Sequence, residues 1–326
     1  MKALVYTGPE ALAYRDVPDP DPREGHHLIR IDSVGICGSD MHAYLGHDER
    51  RPAPLILGHE GAGTIVGGER HGRRVTINPL VTDPQSAASR SGRENLCLAR
   101  QIISMPPRDG AFAQFVSMPE RNLVEVPDAY PLEKAALAEP LAVSWHGVRL
   151  GLEKLHPADK RRAHVIGGGA IGVAAALALE AMGVETVTLS EPNAARAAYL
   201  AETCGLAIDT TPASGIPLVI DAVGIAATRA AASALVSPGG VIAHIGLGDA
   251  EGGLDIRRIT LQEITFVGTY TYTARDFRDT AEAMFDGRLG PLDWIEARPL
   301  SEGARAFADI RAGHVAAPKI ILKPDA

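Results

Sequence analysis

A glycine-rich turn between an apolar strand and an alanine-rich helix constrains this chain more than any other feature. Residues 167–172 read Gly-Gly-Gly-Ala-Ile-Gly, the pattern G-x-G-x-x-G, and directly follow the apolar run 163–166. In this pattern the first glycine permits a tight turn, the second lets a pyrophosphate approach the backbone, and the third lets helix and strand pack closely. The turn therefore predicts a dinucleotide site at Gly167, Gly169, Ala170, Ile171 and Gly172.

An acidic residue after the next apolar strand distinguishes between the two nicotinamide dinucleotides. Glu191 lies 19 residues beyond Gly172. A carboxylate at that point accepts hydrogen bonds from a ribose diol and repels a 2′-phosphate, so we expect NAD rather than NADP. Two alternatives stay open. Glu191 also fits a helix-capping role beside Pro192, and Arg196 fits either stacking on adenine or a solvated helix face.

The chain changes character near residue 140. Before it, short β-type runs alternate with turns rich in glycine, proline and aspartate, which is typical of a small all-β unit. From Ala163 onward strands alternate with helices, which indicates βαβ units and a mostly parallel sheet. We therefore expect an α/β protein with a mostly β unit up to about residue 140, followed by a doubly wound, mostly parallel-sheet unit.

The composition excludes several classes of protein. The 326 residues carry a formal charge of −8 without a run of basic side chains, so nucleic acid is not an expected partner. The longest apolar run, 171–179, is far shorter than the roughly 20 residues that span a membrane, and the start of the chain has no signal-peptide pattern. Three cysteines argue against a disulfide framework. We expect a cytoplasmic globular protein with no membrane partner.

Three segments carry side chains that can ligate a metal ion. Cys37 lies in a glycine-flanked turn, His59 and Glu60 follow 22 residues later, and Glu139 lies where the chain changes character and a cleft between domains would lie. Thiolate, imidazole and carboxylate are ligands that zinc accepts in a catalytic site. The spacing alone leaves two interpretations open: a ligand set, or an inert thiol at Cys37 with ordinary hydrogen bonds at His59 and Glu60.

Taken in order, these motifs resemble the zinc-dependent medium-chain alcohol dehydrogenases, and within them the polyol branch that contains sorbitol and threonine dehydrogenases. The similarity runs over nearly the whole chain, through 35–40, 58–60, 92–97, 139–142 and 167–172. It implies a GroES-like catalytic domain at 1–140 and 270–326 and a Rossmann NAD-binding domain at 141–269. It also implies zinc held by Cys37 and His59, with Glu60 as the usual third ligand and Glu139 binding directly or through water. Which carboxylate contacts the metal stays open.

One departure from the family changes the expected metal count. The family's structural zinc lobe needs four cysteines in and just before the segment 92–97. Here the matching positions are Asp83, Ser86 and Ser89, and only Cys97 remains. One thiolate with two hydroxyls cannot build the closed tetrahedral site of structural zinc. We therefore expect one zinc per chain, and Cys97 and Cys204 as small buried apolar residues.

The resemblance implies an enzyme that transfers a hydride between NAD and a secondary alcohol, with a polyol or sugar alcohol as the first choice. A 3-hydroxy amino acid and a simple secondary alcohol are the alternatives. In such enzymes zinc stabilises an alkoxide as a Lewis acid, and the cofactor accepts the hydride. Ser39 and His42 match the family's Cys-x-Ser/Thr-x-x-His spacing, which implies a proton relay to solvent. His42 also fits an ordinary surface turn.

The resemblance assigns further residues to the cofactor and the substrate. Those expected along the cofactor are Val223, Gly246, Leu247, Thr269 and Tyr270. Those expected to wall the substrate pocket are Tyr44, Ile102, Ile103, Thr271 and Tyr272, and each of these also fits core packing. Thr271 stands where sorbitol dehydrogenases carry an arginine that helps hold polyol hydroxyls, so sorbitol itself is not the expected substrate.

Two other functions compete with this interpretation. A zinc-free quinone reductase of the same fold would lack the motifs around Cys37 and His59, which are intact here. A non-catalytic NAD-binding module would have a degraded ligand set, and none of the candidate ligands is replaced. The family pairs protomers through the sheet edge of the cofactor domain, so the resemblance also implies a homodimer or homotetramer.

Overall fold

Two units make up the chain in the computed structural model, which describes residues 1–21, 23–159 and 161–324. The first unit contains Met1–Glu139, Thr273–Phe285 and Ile295–Ala326, and the second contains Pro140–Tyr272 and Asp286–Trp294. No helix among the described residues is both long enough and apolar enough to cross a membrane.

The strands and helices have the following bounds. The strands are β1 (Lys2–Gly8), β2 (Ala11–Asp16), β3 (His26–Gly35), β4 (Leu55–Ile56), β5 (Glu60–Val66), β6 (Arg74–Ile77), β7 (Leu80–Val81), β8 (Gln101–Ile102), β9 (Phe115–Pro119), β10 (Leu123–Glu125), β11 (Arg162–Ile166), β12 (Thr186–Ser190), β13 (Ile216–Asp221), β14 (Val236–His244), β15 (Thr265–Gly268), β16 (Ile295–Pro299) and β17 (Lys319–Lys323). The α-helices are α1 (Gly38–Tyr44), α2 (Ala87–Arg90), α3 (Leu132–Ala135), α4 (Ala138–Lys154), α5 (Ala170–Ala181), α6 (Ala194–Cys204), α7 (Ala226–Leu235), α8 (Ile256–Leu261), α9 (Ala274–Phe285) and α10 (Gly303–Arg311).

The first unit is built on one large sheet with the strand order β10-β6-β5-β3-β17-β16, and β9 also pairs with β3. Two smaller sheets, β2-β1-β4 and β7-β8, belong to the same unit. Aromatic rings from distant segments meet in its core, where Tyr44 and Phe112 lie 5.2 and 5.9 Å from Phe307 between ring centroids. Gly35 at the end of β3 pairs with Glu60 at the start of β5, and β17 flanks β3 on its other side.

The second unit contains a five-stranded parallel sheet in the order β12-β11-β13-β14-β15. A helix follows each of its first four strands in the chain, as βαβ alternation requires. The chain order reverses at β11, which places a crevice at the carboxyl end of that strand. An apolar cluster packs on the sheet: Ile166, Ile216, Val219, Ala232, Val236, Ile242 and Ile264. The predicted α/β class, with a parallel-sheet domain and a mostly β domain, is confirmed.

Two local elements differ from the sequence expectation. The apolar spacing of 131–150 predicts one helix, but the structure contains the short α3 and the long α4, which are separated at residues 136 and 137. Pro140 lies in the first turn of α4, where a missing N–H removes no helical hydrogen bond. The turn expected after Cys37 forms α1 instead, because a seven-residue helix is too short to show a periodic pattern.

Candidate metal centre and dinucleotide site

Three side chains able to ligate a metal meet where α1 and β5 begin. Cys37 is the N-terminal cap residue of α1, and His59 and Glu60 lie where a loop enters β5. The Cys37 sulfur, a ring nitrogen of His59 and a carboxylate oxygen of Glu60 all lie within 4.8 Å of one another. His59 and Glu60 are buried, and Cys37 is half-buried. The fold therefore brings the three ligand candidates into one site.

A buried carboxylate on α1 orients His59. The Oδ1 atom of Asp40 lies 3.4 Å from Nδ1 of His59 and accepts a hydrogen bond from the Gly58 N–H, while Oδ2 accepts one from the Cys37 N–H. Burial alone would raise the pKa of Asp40, but the charge of His59 lowers it below its usual range. Burial alone would lower the pKa of His59, but Asp40 and Cys37 raise it well above its usual range. Asp40 and Cys37 therefore favour a positive charge at the position of His59, which lies beside both.

A buried ion pair holds Glu60. Lys319 on β17 donates hydrogen bonds to both carboxylate oxygens of Glu60 at 2.7 Å and to the carbonyl oxygen of Ile36 at 2.9 Å. Burial would lower the pKa of Lys319, but the charges of Glu60 and Cys37 raise it above its usual value. A Cβ at Gly35 would lie only 2.0 Å from Oε2 of Glu60. The space for this carboxylate therefore requires glycine at the end of β3.

The donor set matches the chemistry of zinc. Catalytic zinc sites combine thiolate, imidazole and carboxylate donors, and their histidine ligands usually direct the second ring nitrogen to a carboxylate, as His59 does to Asp40. Within the described residues, the group of mutually close donor atoms contains Glu60 rather than Glu139. Glu139 is buried at the start of α4, and its charge acts on Lys319. Both carboxylates therefore add negative charge around the site.

Sequence reasoning missed three residues of this centre. These are Asp40, which the sequence analysis includes only in the motif at 35–40, and Ser104 and Lys319, which it does not single out. The Ser104 hydroxyl oxygen lies 3.4 Å from Nδ1 of His59, and Ser104 is fully buried. Only for Lys319 did the sequence hold a signal, because a lysine that opens an apolar strand is unusual.

The expected relay residues share one helix. Ser39 and His42 are three positions apart on α1, so they lie on neighbouring positions of one helix face. Ser39 is half-buried and His42 is exposed to solvent. Tyr44, on the same helix, packs against Phe307 in the core of the first unit.

The other expected substrate residues are distributed over both units. Ile102 lies on β8 in the first unit, and Ile103 beside it is 1% exposed. Thr271 and Tyr272 belong to the second unit, and Tyr272 is also 1% exposed. Thr271 has a φ of 47°, and its buried hydroxyl finds no hydrogen-bond partner among the described residues. An unsatisfied hydroxyl on a strained backbone is a feature common at ligand sites.

The glycine turn follows β11 at the carboxyl edge of the parallel sheet. A Cβ at Gly172 would lie 1.7 Å from the carbonyl oxygen of Gly167, and a Cβ at Gly167 would lie 2.4 Å from the Val223 side chain. A Cβ at Gly169 would meet nothing within 4 Å, although this residue caps the N-terminus of α5. Ala170 and Ile171 form the first turn of that helix. The tight turn and the open space at a helix N-terminus fit a pyrophosphate.

Glu191 is held against the glycine turn by the backbone. Its Oε2 accepts a hydrogen bond from the Gly168 N–H at 2.9 Å, and its Oε1 accepts one from the Asn193 N–H at 2.8 Å. The side chain of Asn193, rather than that of Glu191, caps α6 by accepting from the Arg196 N–H. The carboxylate therefore stands at the carboxyl end of β12, where a ribose diol would lie.

The remaining cofactor candidates also follow strand ends. Val223 comes after β13, Gly246 and Leu247 after β14, and Thr269 and Tyr270 after β15. These strands are parallel, so all of these residues gather at the same edge as the glycine turn. A Cβ at Gly246 would lie 2.1 Å from the Val223 carbonyl carbon, which shows how closely the two loops pack.

The positions that replace the structural zinc cysteines form hydrogen bonds with one another. The Ser89 hydroxyl donates to the Asp83 carbonyl oxygen at 2.6 Å, and the Ser86 hydroxyl oxygen accepts from the Ser89 N–H at 3.1 Å. The two serine hydroxyls lie 2.9 Å apart, and Cys97 is 1% exposed. Hydrogen bonding thus satisfies these polar groups within the lobe itself.

Comparison with known proteins finds two matching family models, together with similar sequences and similar solved structures. Residues 23–128 match the family model described as alcohol dehydrogenase GroES-like domain, and residues 170–286 match the one described as zinc-binding dehydrogenase. L-galactonate-5-dehydrogenase of Escherichia coli K12 is 30% identical over 308 residues, which covers 89% of this chain and 88% of the relative. Sorbitol dehydrogenase of Bacillus subtilis is 32% identical over 295 residues, covering 83% and 82%. The solved structure of an alcohol dehydrogenase from Thermus sp. ATN1 has the same fold, with a TM-score of 0.89, 24% identity and full coverage of both chains.

Proposed function

The chain belongs to the zinc-binding medium-chain alcohol dehydrogenase family, in its polyol dehydrogenase branch, and on that premise we propose that it oxidises a secondary hydroxyl of a polyol or sugar alcohol with NAD. The observation that carries the proposal is the convergence of Cys37, His59 and Glu60 within 4.8 Å, with His59 oriented by Asp40. When bound there, zinc would supply a Lewis acid for the substrate hydroxyl, and NAD would supply the hydride acceptor.

The residues of the first unit hold the metal donors and move the proton. Asp40 orients the imidazole of His59, and Lys319 fixes the carboxylate of Glu60. The Ser39 hydroxyl accepts the proton that the substrate hydroxyl loses and gives its own proton on toward His42 on the same helix face, which releases it to solvent. The exposure of His42 and the partial burial of Ser39 support this direction of transfer.

The residues of the second unit select and bind the cofactor. The turn at Gly167–Gly172 receives the pyrophosphate, and the Glu191 carboxylate receives the ribose hydroxyls. A 2′-phosphate would meet the negative charge of Glu191 in a site where that carboxylate is already held by two N–H groups. We therefore propose NAD as the preferred cofactor.

The proposal is tested by following NADH formation with a panel of polyols, sugar alcohols, 3-hydroxy amino acids and simple secondary alcohols. We expect reduction of NAD with at least one polyol, loss of activity after treatment with a chelator, and recovery on addition of Zn²⁺. NADP should support much slower turnover. Activity that survives complete removal of metal, with a quinone or enone as the better substrate, would instead identify a zinc-free reductase.

Cysteine variants supply the matched control, and metal analysis checks the stoichiometry. Cys37→Ser should lose both zinc and activity, whereas Cys204→Ser and Cys97→Ser should keep both. We expect elemental analysis to find one zinc per chain, because Asp83, Ser86 and Ser89 cannot complete a second tetrahedral site. Two tightly held zinc ions per chain would contradict this count.

We further propose that the protein forms a homodimer or homotetramer through the edge of the parallel sheet. Strand β15 pairs with β14 on one side, and no described strand pairs with its other edge. Phe266 on β15 is 37% exposed, so joining two such edges would cover an apolar side chain. Light scattering should give a mass of two or four times 34.3 kDa.

We also propose a cytoplasmic location. Its support is the three free cysteines, one of which is a candidate metal ligand.

A further inference from the structure

A buried arginine beside the metal centre has no role in the mechanism given above. Arg51 lies in the loop between α1 and β4, and it is only 3% exposed. Its Nε donates to the Ser104 carbonyl oxygen at 3.0 Å, and its Nη1 donates to the Ser39 carbonyl oxygen at 3.1 Å. Nη1 also contacts Oδ2 of Asp48 at 2.9 Å. One guanidinium therefore links two chain segments that are 65 residues apart.

The contact to Ser104 explains how an unusual backbone conformation persists. Ser104 has a φ of 72°, in the left-handed region that residues with a Cβ seldom adopt. A hydrogen bond from a buried cation to its carbonyl oxygen holds this turn in place, because such bonds are about twice as strong as neutral ones. The same turn places the Ser104 hydroxyl 3.4 Å from Nδ1 of His59. Arg51 thus fixes a group that contacts a metal ligand.

The contact to Ser39 fixes the other side of the centre. The Ser39 carbonyl lies in the first turn of α1, between the metal ligand Cys37 and Asp40, which contacts His59. Holding this carbonyl restricts the position of the Ser39 hydroxyl, which the mechanism uses for proton transfer. Both ends of the guanidinium therefore act on groups that the proposed reaction needs.

We propose that Arg51 is a positioning residue that locks the Ser39 segment and the Ser104 turn together, so that the proton-relay hydroxyl and the ligand histidine keep one fixed geometry. The planar guanidinium of arginine is suited to this function because it directs several N–H groups at separate acceptors. Lysine offers a single ammonium group at the end of a flexible aliphatic chain. The expected effect on kcat rests on the proposed dehydrogenase function. The link between the Ser39 segment and the Ser104 turn does not.

The experiment compares Arg51→Lys with Arg50→Lys. Arg50 is the matched control because it also binds Asp48, through Nε at 2.8 Å and Nη2 at 2.9 Å, but its side chain is 66% exposed. Three quantities are measured on the zinc-loaded protein: kcat per bound zinc, KM for the polyol, and hydrogen exchange of the peptides that contain Ser39 and Ser104. The Zn²⁺ affinity is measured separately by competition with a chelator.

We expect Arg51→Lys to lower kcat per bound zinc by about tenfold or more with little change in KM, and to weaken Zn²⁺ binding by about tenfold. Exchange of both peptides should become faster in Arg51→Lys, and Arg50→Lys should match the unaltered protein in every measurement.

If kcat per bound zinc stays within about twofold while exchange rises, Arg51 serves stability only and the proposal is overturned. If neither exchange nor Zn²⁺ affinity changes, it is overturned as well. A protein without any dehydrogenase activity would refute the proposed function, while exchange and Zn²⁺ affinity would still decide whether Arg51 locks the two segments.

Discussion

The buried pair of Lys319 and Glu60 offers the sharpest test of the structure. Lys319→Met keeps most of the side-chain length but removes the charge that faces two carboxylate oxygens at 2.7 Å. At that separation one contact between unit charges is worth about 6 kcal/mol at an effective dielectric constant of about 20. The cost of removing both charges from water offsets part of this attraction. Breaking one half of a buried pair usually costs about 3–5 kcal/mol, because the remaining charge stays buried without a partner.

We therefore expect Lys319→Met to lower the free energy of unfolding of the metal-free protein by about 3–5 kcal/mol near pH 7, measured by urea denaturation. Lys323→Met is the matched control on the same strand, since Lys323 is 41% exposed and contacts Glu133 at 3.3 Å. Lys323→Met should lower the free energy of unfolding by less than about 1 kcal/mol. The double variant Lys319→Met/Glu60→Leu should recover much of the stability, because no isolated charge remains buried.

The pH dependence of this effect follows from the raised pKa of Lys319. The folded pKa lies above the ordinary value of 10.5, so the contribution of the Lys319 charge is fully present from neutral pH up to pH 10.5 and is lost as the pH rises through the folded value. The difference between Lys319→Met and the unaltered protein should consequently be constant across neutral pH. The reasoning would be refuted if Lys319→Met lowered the free energy of unfolding by less than about 1 kcal/mol, or if Lys319→Met/Glu60→Leu were less stable than Lys319→Met.

Three further predictions follow from other contacts. Gly35→Ala should displace the Glu60 carboxylate, lowering stability by about 1–3 kcal/mol and Zn²⁺ affinity about tenfold or more, as denaturation and chelator competition would report. Glu191→Ala should weaken NAD binding by about tenfold or more and NADP binding much less, measured by calorimetry; an equal loss for both would contradict the assigned role. Burial lowers the pKa of His164 to about 4, so stability should fall by up to about 3 kcal/mol as the pH drops from about 6.5 to about 4, where the unfolded chain binds a proton that the folded one excludes. His164→Gln should remove that dependence in urea titrations at several pH values, and an unchanged profile would contradict it.

Local sequence patterns were sufficient for the parts of the protein that depend on neighbouring residues. The glycine turn was predictable because its pattern lies within six residues. Two of its glycines meet steric limits: a Cβ at Gly172 would collide with the Gly167 carbonyl oxygen, and a Cβ at Gly167 would collide with the Val223 side chain. The zinc-binding dehydrogenase family and the fold class were also predictable and are confirmed. The preference for NAD over NADP stays a prediction. The assignments of individual site residues stay predictions, although Cys37, His59 and Glu60 do meet in one place.

Short elements were less predictable. The helix α1 was expected as a turn, because seven residues are too few to show the apolar spacing that marks a helix. The expected helix at 131–150 contained a break that only the packed structure reveals. In each case the tertiary environment, rather than local propensity, sets the bounds.

What the sequence by itself determined is the glycine turn, since that motif places its residues within six positions of each other, and which side chains are candidate donors. What only the tertiary structure decided is the environment that makes those donors usable. Lys319 meets Glu60 across 259 positions of the chain, and Arg51 meets Ser104 across 53. Such contacts leave no periodic signal, because they depend on which strands become neighbours in a sheet and which loops fold over its end. The physical reason is that buried charges must find partners wherever the fold supplies them.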